Sequence, residues 1–198
     1  MRIIGHIVCL VVCGSMCVQA WARKPNVVLI MADDLGYETL GTYGTGDYKT
    51  PVLDALAATG MKFNHCYSQP LCTPSRVQIM TGRYNFRNYK AFGVLPKSEV
   101  TFGHLLQEAG YATAVAGKWQ LWGTNTRIES DHGSGFLPDE AGFDEYCLWQ
   151  VKKVKKFGER YADPLIDTNG VERVHEGGYG PEVFTEFILV FHFYCIYL

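Results

Sequence analysis

The chain has 198 residues, with 18 Lys and Arg against 20 Asp and Glu for a formal net charge of −2, and it is 47% hydrophobic and 14% aromatic. That balance excludes a disordered or collagenous chain and leaves no basic surplus to neutralise a nucleic-acid backbone. The length suits one hydrophobic core and leaves little for a second.

Residues 1–22 read as a secretory signal peptide. Met1 and Arg2 make a short positive start, the apolar stretch from Ile3 to Val18 is broken by Gly5, His6, Gly14 and Ser15, and Ala20-Trp21-Ala22 supplies small residues for cleavage. A stable membrane span would need about 20 unbroken apolar residues, which this stretch does not offer. The expected location is therefore secreted or periplasmic, along the secretory pathway. Removal of the leader takes Cys9, Cys13 and Cys17 with it and leaves Cys66, Cys72, Cys147 and Cys195 where disulfides can form, with every pairing open.

The remaining residues 23–198 alternate between strand-like and helix-like segments. Asn26 to Met31 is apolar on both faces and predicts a buried first strand ending at Asp33-Asp34. Leu35 to Lys49 is a glycine-rich loop. Thr50-Pro51 opens a helix that Gly60 closes, with a hydroxyl at the cap and proline at the first helical position. Met61 to Tyr67 predicts a second strand. Cys72-Thr73-Pro74 starts a helix stopped by Gly82, and Thr101 to Gly110 a further capped helix. Tyr111 to Ala116 predicts a third strand delivering Gly117-Lys118-Trp119 to its far end. Gly123 to Gly142 reads as loop, Tyr146 to Trp149 as a short strand, Lys152 to Lys156 as a solvated basic face, and Pro181 as the start of a last helical pattern. Phe187 to Leu198 is almost unbroken apolar sequence, expected to associate if nothing covers it. The alternation implies an α/β fold with a largely parallel sheet, helices on both faces and a site at the carboxyl ends of the strands.

Two groups of residues on that edge carry chemistry. Asp33 and Asp34 are adjacent hard oxygen donors suited to Ca²⁺ or Mg²⁺, although such a pair also serves as a turn or cap. Cys72, at a helix N-terminus, faces unpaired N–H groups and the positive end of the helix dipole, and Arg76 lies one turn further along the same face. A structural disulfide from Cys72 to Cys66 or Cys147 is the alternative for that thiol.

The string Cys72-Thr73-Pro74-Ser75-Arg76, followed by Met80-Thr81-Gly82-Arg83, resembles the signature of the formylglycine-dependent sulfatases of the alkaline-phosphatase-like superfamily. The resemblance extends to Asn26-Val-Val-Leu-Ile-Met-Ala-Asp-Asp34 and Ala116-Gly-Lys-Trp119, and spans about residues 24–186. It implies an α/β/α sandwich, incomplete at its C-terminus, and hydrolysis of sulfate esters. Cys72 becomes the precursor of a formylglycine, installed by a formylglycine-generating enzyme, whose hydrated aldehyde offers one hydroxyl to attack sulfur and a second to expel sulfate. Asp33 and Asp34, with modified Cys72, are implied as metal ligands for Ca²⁺, or Mg²⁺. Arg76 is implied as the residue holding the aldehyde hydrate, and Lys118 as a sulfate contact. Gln120 departs from the family's usual G-K-W-H-L, placing an amide where an imidazole would meet substrate.

The resemblance also implies further metal and sulfate ligands later than any residue here, so this chain alone is expected to be weakly active at most. Two other readings stay open: hydrolysis of phosphate diesters or phosphonate esters by a similar site, and a non-catalytic secreted module binding sulfated glycans. Cleavage after Ala22 is the first testable consequence. Amino-terminal sequencing of exported protein should begin at Arg23, and recovery of Met1 in that fraction would remove the secretory argument.

Overall fold

The computed structural model describes residues 24–44, 47–124, 126–152 and 160–197. The leader reading of residues 1–22 and the lysines Lys153, Lys155 and Lys156 lie outside these. The chain divides into two units, residues 1–36 and 37–198, each described by itself.

In the first unit, residues 24–32 form no strand and their side chains are exposed, Ile30 by 82% and Val28 by 66%. The buried first strand expected at Asn26 to Met31 is therefore corrected. Apolarity on both faces expresses a preference for burial, but a strand also needs neighbours for its N–H and C=O groups, and sequence pattern does not supply them. Beyond this segment the backbone turns, with Asp34 in the left-handed region at φ 57°.

Among its described residues the second unit carries four α-helices, α1 (Pro51–Thr59), α2 (Cys72–Thr81), α3 (Phe102–Glu108) and α4 (Gly180–Tyr197), and four strands, β1 (Ala114–Lys118), β2 (Glu145–Trp149), β3 (Leu165–Thr168) and β4 (Val171–Val174). The strands form one sheet in the order β1-β2-β3-β4. β1 and β2 run parallel, pairing Ala114 with Glu145 through to Lys118 with Trp149. The other two pairings are antiparallel, so the α/β class holds with a sheet that is mixed. β3 and β4 make a hairpin across Asn169-Gly170, both with positive φ (49° and 87°), the arrangement that a two-residue turn of this hand requires. Met61 to Tyr67, expected as a strand, is irregular and exposed, with Tyr67 83% accessible. The reason is the same as for the first segment.

Local signals set the helix ends. Gly82 closes α2 in the left-handed conformation, φ 63°, with its N–H donating to Gln78 O at 2.9 Å. Thr101 caps α3: its hydroxyl accepts from His104 N at 3.2 Å while His104 Nδ1 accepts from Thr101 N at 3.1 Å. Thr50 is not the side-chain cap expected of it. Its hydroxyl accepts from Gly41 N at 2.9 Å and donates to Asp54 Oδ1 at 3.0 Å, tying the glycine-rich loop to α1 instead.

The core lies where α2 meets the sheet. Val77 and Met80 of α2 pack with Leu95, Trp119, Leu121, Phe136, Phe143 and Leu148. Trp119 is 1% exposed, and its indole N–H donates to Phe136 O at 3.0 Å, which satisfies the ring's polar atom inside the core. α4 packs against β1 and, to a smaller extent, β2. Leu189, Val190, Phe193 and Tyr194 of that helix remain exposed. Among the described residues no helix is long and apolar enough to cross a membrane.

Asp167, buried on β3, makes the sheet's stability depend on pH. Burial pushes its carboxyl above the ordinary value, against the opposing effect of the Gly170 N–H donated to it at 2.8 Å. The folded state thus binds this proton more tightly than the unfolded chain, and stability falls as pH rises from the ordinary carboxylate value through the raised one. Asp167→Asn keeps an acceptor for Gly170 and cannot ionise. In urea unfolding it should match the parent in acid and exceed it above that window; equal stability at every pH would contradict the assignment.

Candidate active site

Four of the six residues singled out from the sequence come together at the carboxyl end of β1. Cys72 opens α2, as its position ahead of Pro74 suggested, and it is half-buried. Lys118 is the last residue of β1, and its Nζ lies 3.4 Å from Cys72 Sγ across 46 residues of sequence. An ammonium group and a helix N-terminus therefore face the same sulfur, two sources of positive potential at one position.

Arg76, expected to hold the group at position 72, sits against the end of β1. Its guanidinium donates to Lys118 O at 3.2 Å, to Trp119 O, and to Gln120 O at 3.2 Å. Gln120 follows in the left-handed region, φ 43°, and its side-chain Oε1 is a buried atom with no hydrogen-bond partner among the described residues. Asp33 and Asp34 belong to the first unit; Asp33 is half-buried and Asp34 exposed.

The start of α2 is held by residues that reading for chemistry passed over. Ser75, 5% exposed, accepts from Gln69 N at 3.1 Å, and its hydroxyl lies 3.1 Å from Gln69 O and 2.9 Å from Leu71 O. It pins the turn before Cys72 to the first turn of the helix. Thr73, fully buried, accepts from Gly93 N at 3.1 Å, and Asn85 donates to Pro74 O at 3.0 Å. At the far end Thr81 accepts from Asn88 at 2.9 Å, while Arg83 pairs with the buried Glu99 at 2.8 Å. The Thr81-Gly82-Arg83 string is thus the anchored end of the helix that presents Cys72. The sequence marked it by its capping glycine and its place in the family signature, neither of which shows that it anchors the helix.

No disulfide joins Cys66, Cys72, Cys147 and Cys195, all of which are free thiols. Cys147 is buried on β2, and that burial pushes its thiol above the ordinary range, which makes it an inert packing residue. Among the described residues no group of three or more His, Cys, Asp and Glu side chains stands ready for a metal ion.

A family model described as Sulfatase matches residues 25–184. Human arylsulfatase D is 43% identical over 139 residues, which make up 63% of this chain and 23% of that protein. Human steryl-sulfatase is 45% identical over 114 residues, 50% of this chain and 20% of that one. The chain therefore spans about a fifth to a quarter of the length of these curated relatives. Among solved structures, Ps i-CgsB in complex with k-i-k-neocarrahexaose superposes with a TM-score of 0.71 at 27% identity, covering 89% of this chain and 43% of that one. BT4656 in complex with its substrate D-glucosamine-2-N,6-O-disulfate superposes with a TM-score of 0.68 at 29% identity, covering 85% and 31%.

The geometry around Ser75 yields a direct test. Ser75→Ala leaves Gln69 N without its acceptor and should cost about 1–2 kcal/mol in urea unfolding. It should also raise the alkylation rate of Cys72 relative to the exposed Cys66, since the first turn of α2 loses its tie; an unchanged ratio would show that the turn is held elsewhere.

Proposed function

The chain belongs to the sulfatase family, and from that premise we propose that it forms the nucleophile-bearing part of a sulfuric ester hydrolase in which Cys72 is converted to formylglycine. The observation that carries this reading is the 3.4 Å approach of Lys118 Nζ to Cys72 Sγ at the N-terminus of α2. A cation and a set of backbone N–H groups converging on the motif's cysteine suit the charge that develops on sulfuryl oxygens during ester cleavage. The hydrated aldehyde, once installed, supplies the attacking hydroxyl. Lys118 orients and partly neutralises the sulfate ester beside position 72, and α2 directs its terminal N–H groups to the same place. Gln120, an amide that does not ionise, meets the alcohol side of the substrate by hydrogen bonding and leaves proton delivery to another group.

Asp33 and Asp34 fit a hard divalent cation by the chemistry of their donors, two carboxylates on adjacent residues at a backbone turn. They would hold Ca²⁺, or Mg²⁺, which would supply Lewis-acid chemistry when bound. In the same reading residues 1–22 are a signal peptide, residues 23–198 the amino-terminal portion of the sulfatase domain, and a formylglycine-generating enzyme the modifying partner in the secretory pathway. Because BT4656 is bound to its substrate D-glucosamine-2-N,6-O-disulfate, a sulfated sugar is a substrate class to assay first.

The test is co-expression with a formylglycine-generating enzyme, followed by labelling with an aldehyde-reactive probe and parallel assays on aryl sulfates and aryl phosphates. Label should appear on the peptide containing position 72 and vanish in Cys72→Ala. Sulfate ester turnover should exceed phosphate turnover and fall about 100-fold in Lys118→Met. Preferential phosphate turnover would favour the phosphodiesterase reading, and a folded protein that takes no label would contradict the nucleophile assignment.

A further inference from the structure

We propose that Arg76 is a positioning residue whose guanidinium gathers three consecutive backbone carbonyls at the end of β1, those of Lys118, Trp119 and Gln120, and through them sets the Lys118 ammonium against residue 72. The proposal rests on the reading of Lys118 as the cation that faces the substrate anion.

Successive carbonyls of a strand point to opposite edges, so one side chain does not ordinarily reach three in a row. Here the chain leaves strand geometry at Gln120, φ 43°, and Gln150 on the adjoining segment, whose carbonyl accepts from Gln120 N, is also left-handed, φ 57°. The ladder still continues across this bend, with Trp119 N donating to Trp149 O and Gln120 N to Gln150 O, each at 2.9 Å. The left-handed region is unfavourable for a residue with a Cβ. The bend persists because two ladder bonds and the guanidinium fix it from both sides.

Arg76 is suited to this by shape. Its planar fork presents several N–H donors in fixed directions, and two of its nitrogens cover all three oxygens. A lysine at position 76 would keep the charge but would not span three acceptors in one plane. Arg76 sits one helical turn after Cys72, and Lys118 contributes both a carbonyl to the fork and an ammonium to the sulfur. The same fork therefore fixes the helix and the strand end whose side chains meet. It also offsets the partial negative charge of three clustered carbonyls that would oppose a sulfate group arriving at residue 72.

The test uses the unmodified chain, expressed without a modifying enzyme, and compares alkylation of Cys72 by anionic iodoacetate and neutral iodoacetamide at one pH, resolved by peptide mass. Both reagents need the same thiolate, so their rate ratio reports the cation beside the sulfur. Cys66 and Cys195 are exposed references in the same chain. Lys118→Met should lower the ratio at Cys72 about five-fold. Arg76→Lys should lower it by the same factor, and the double variant should go no lower. A wild-type ratio in Arg76→Lys, or a double variant lower by the product of the two effects, would mean that Arg76 acts through its own charge and would overturn the proposal. If Lys118→Met leaves the ratio unchanged, the reading of Lys118 itself fails, which separates the two failures. A second measurement needs no variant. Side-chain N–H resonances of Arg76 in the wild-type protein should be slow to exchange and should not move on titration with inorganic sulfate; a sulfate-dependent shift would place the anion on Arg76 and end the proposal.

Discussion

The hold of one guanidinium on three carbonyls is the constraint from which the rest of this site follows. Arg76 is the link between the helix that opens with Cys72 and the strand that ends with Lys118. Cys72 and Lys118 lie 46 positions apart in sequence, and their side chains meet at 3.4 Å. A pair of long, charged or polar side chains at a surface holds no such geometry by its own attraction, because the entropy of ordering them offsets most of the gain. Backbone atoms on one side and a planar fork on the other remove that freedom beforehand, which is how a site is preorganised.

The hydrophobic core supports the same arrangement from below. Trp119, between Lys118 and Gln120, points away into the cluster formed with Val77, Met80 and Phe143, and its indole N–H is satisfied by Phe136 O. Two of those partners, Val77 and Met80, lie on the same helix as Cys72. The strand end is therefore fixed by a buried ring on one face and by Arg76 on the other. Ser75 and Thr73 perform the matching task for the helix, each tying a residue of its first turn to a neighbouring backbone group. In the proposed reading the signature string is divided by role: Cys72 presents the chemistry, and Thr73, Ser75 and Arg76 fix where it is presented.

Much of this was legible in the chain, and the division between legible and hidden follows the range of the interactions. Helix ends are set by local groups, and Gly82, Thr101 and Pro51 each marked an end that the structure reproduces. Cys72 at a helix start and Lys118 at a strand end were readable for the same reason. Strands depend on partners, and the apolar segments Asn26 to Met31 and Met61 to Tyr67 carried strand-like composition without a pairing strand among the described residues. The β3–β4 hairpin was missed although Asn169-Gly170 is a strong two-residue turn signal, because its flanking strands are only four residues each and β4 is exposed throughout. The contacts of Arg76 were hidden altogether. A motif says that an arginine is required, and only the fold says that its partners are backbone oxygens.

The most direct test is an experimental structure of the formylglycine-bearing protein with inorganic sulfate bound. The account predicts sulfate between residue 72 and Lys118 Nζ, with the Arg76 guanidinium still on the carbonyls of Lys118, Trp119 and Gln120. An Arg76 that has left those carbonyls to bind the sulfate directly would contradict it.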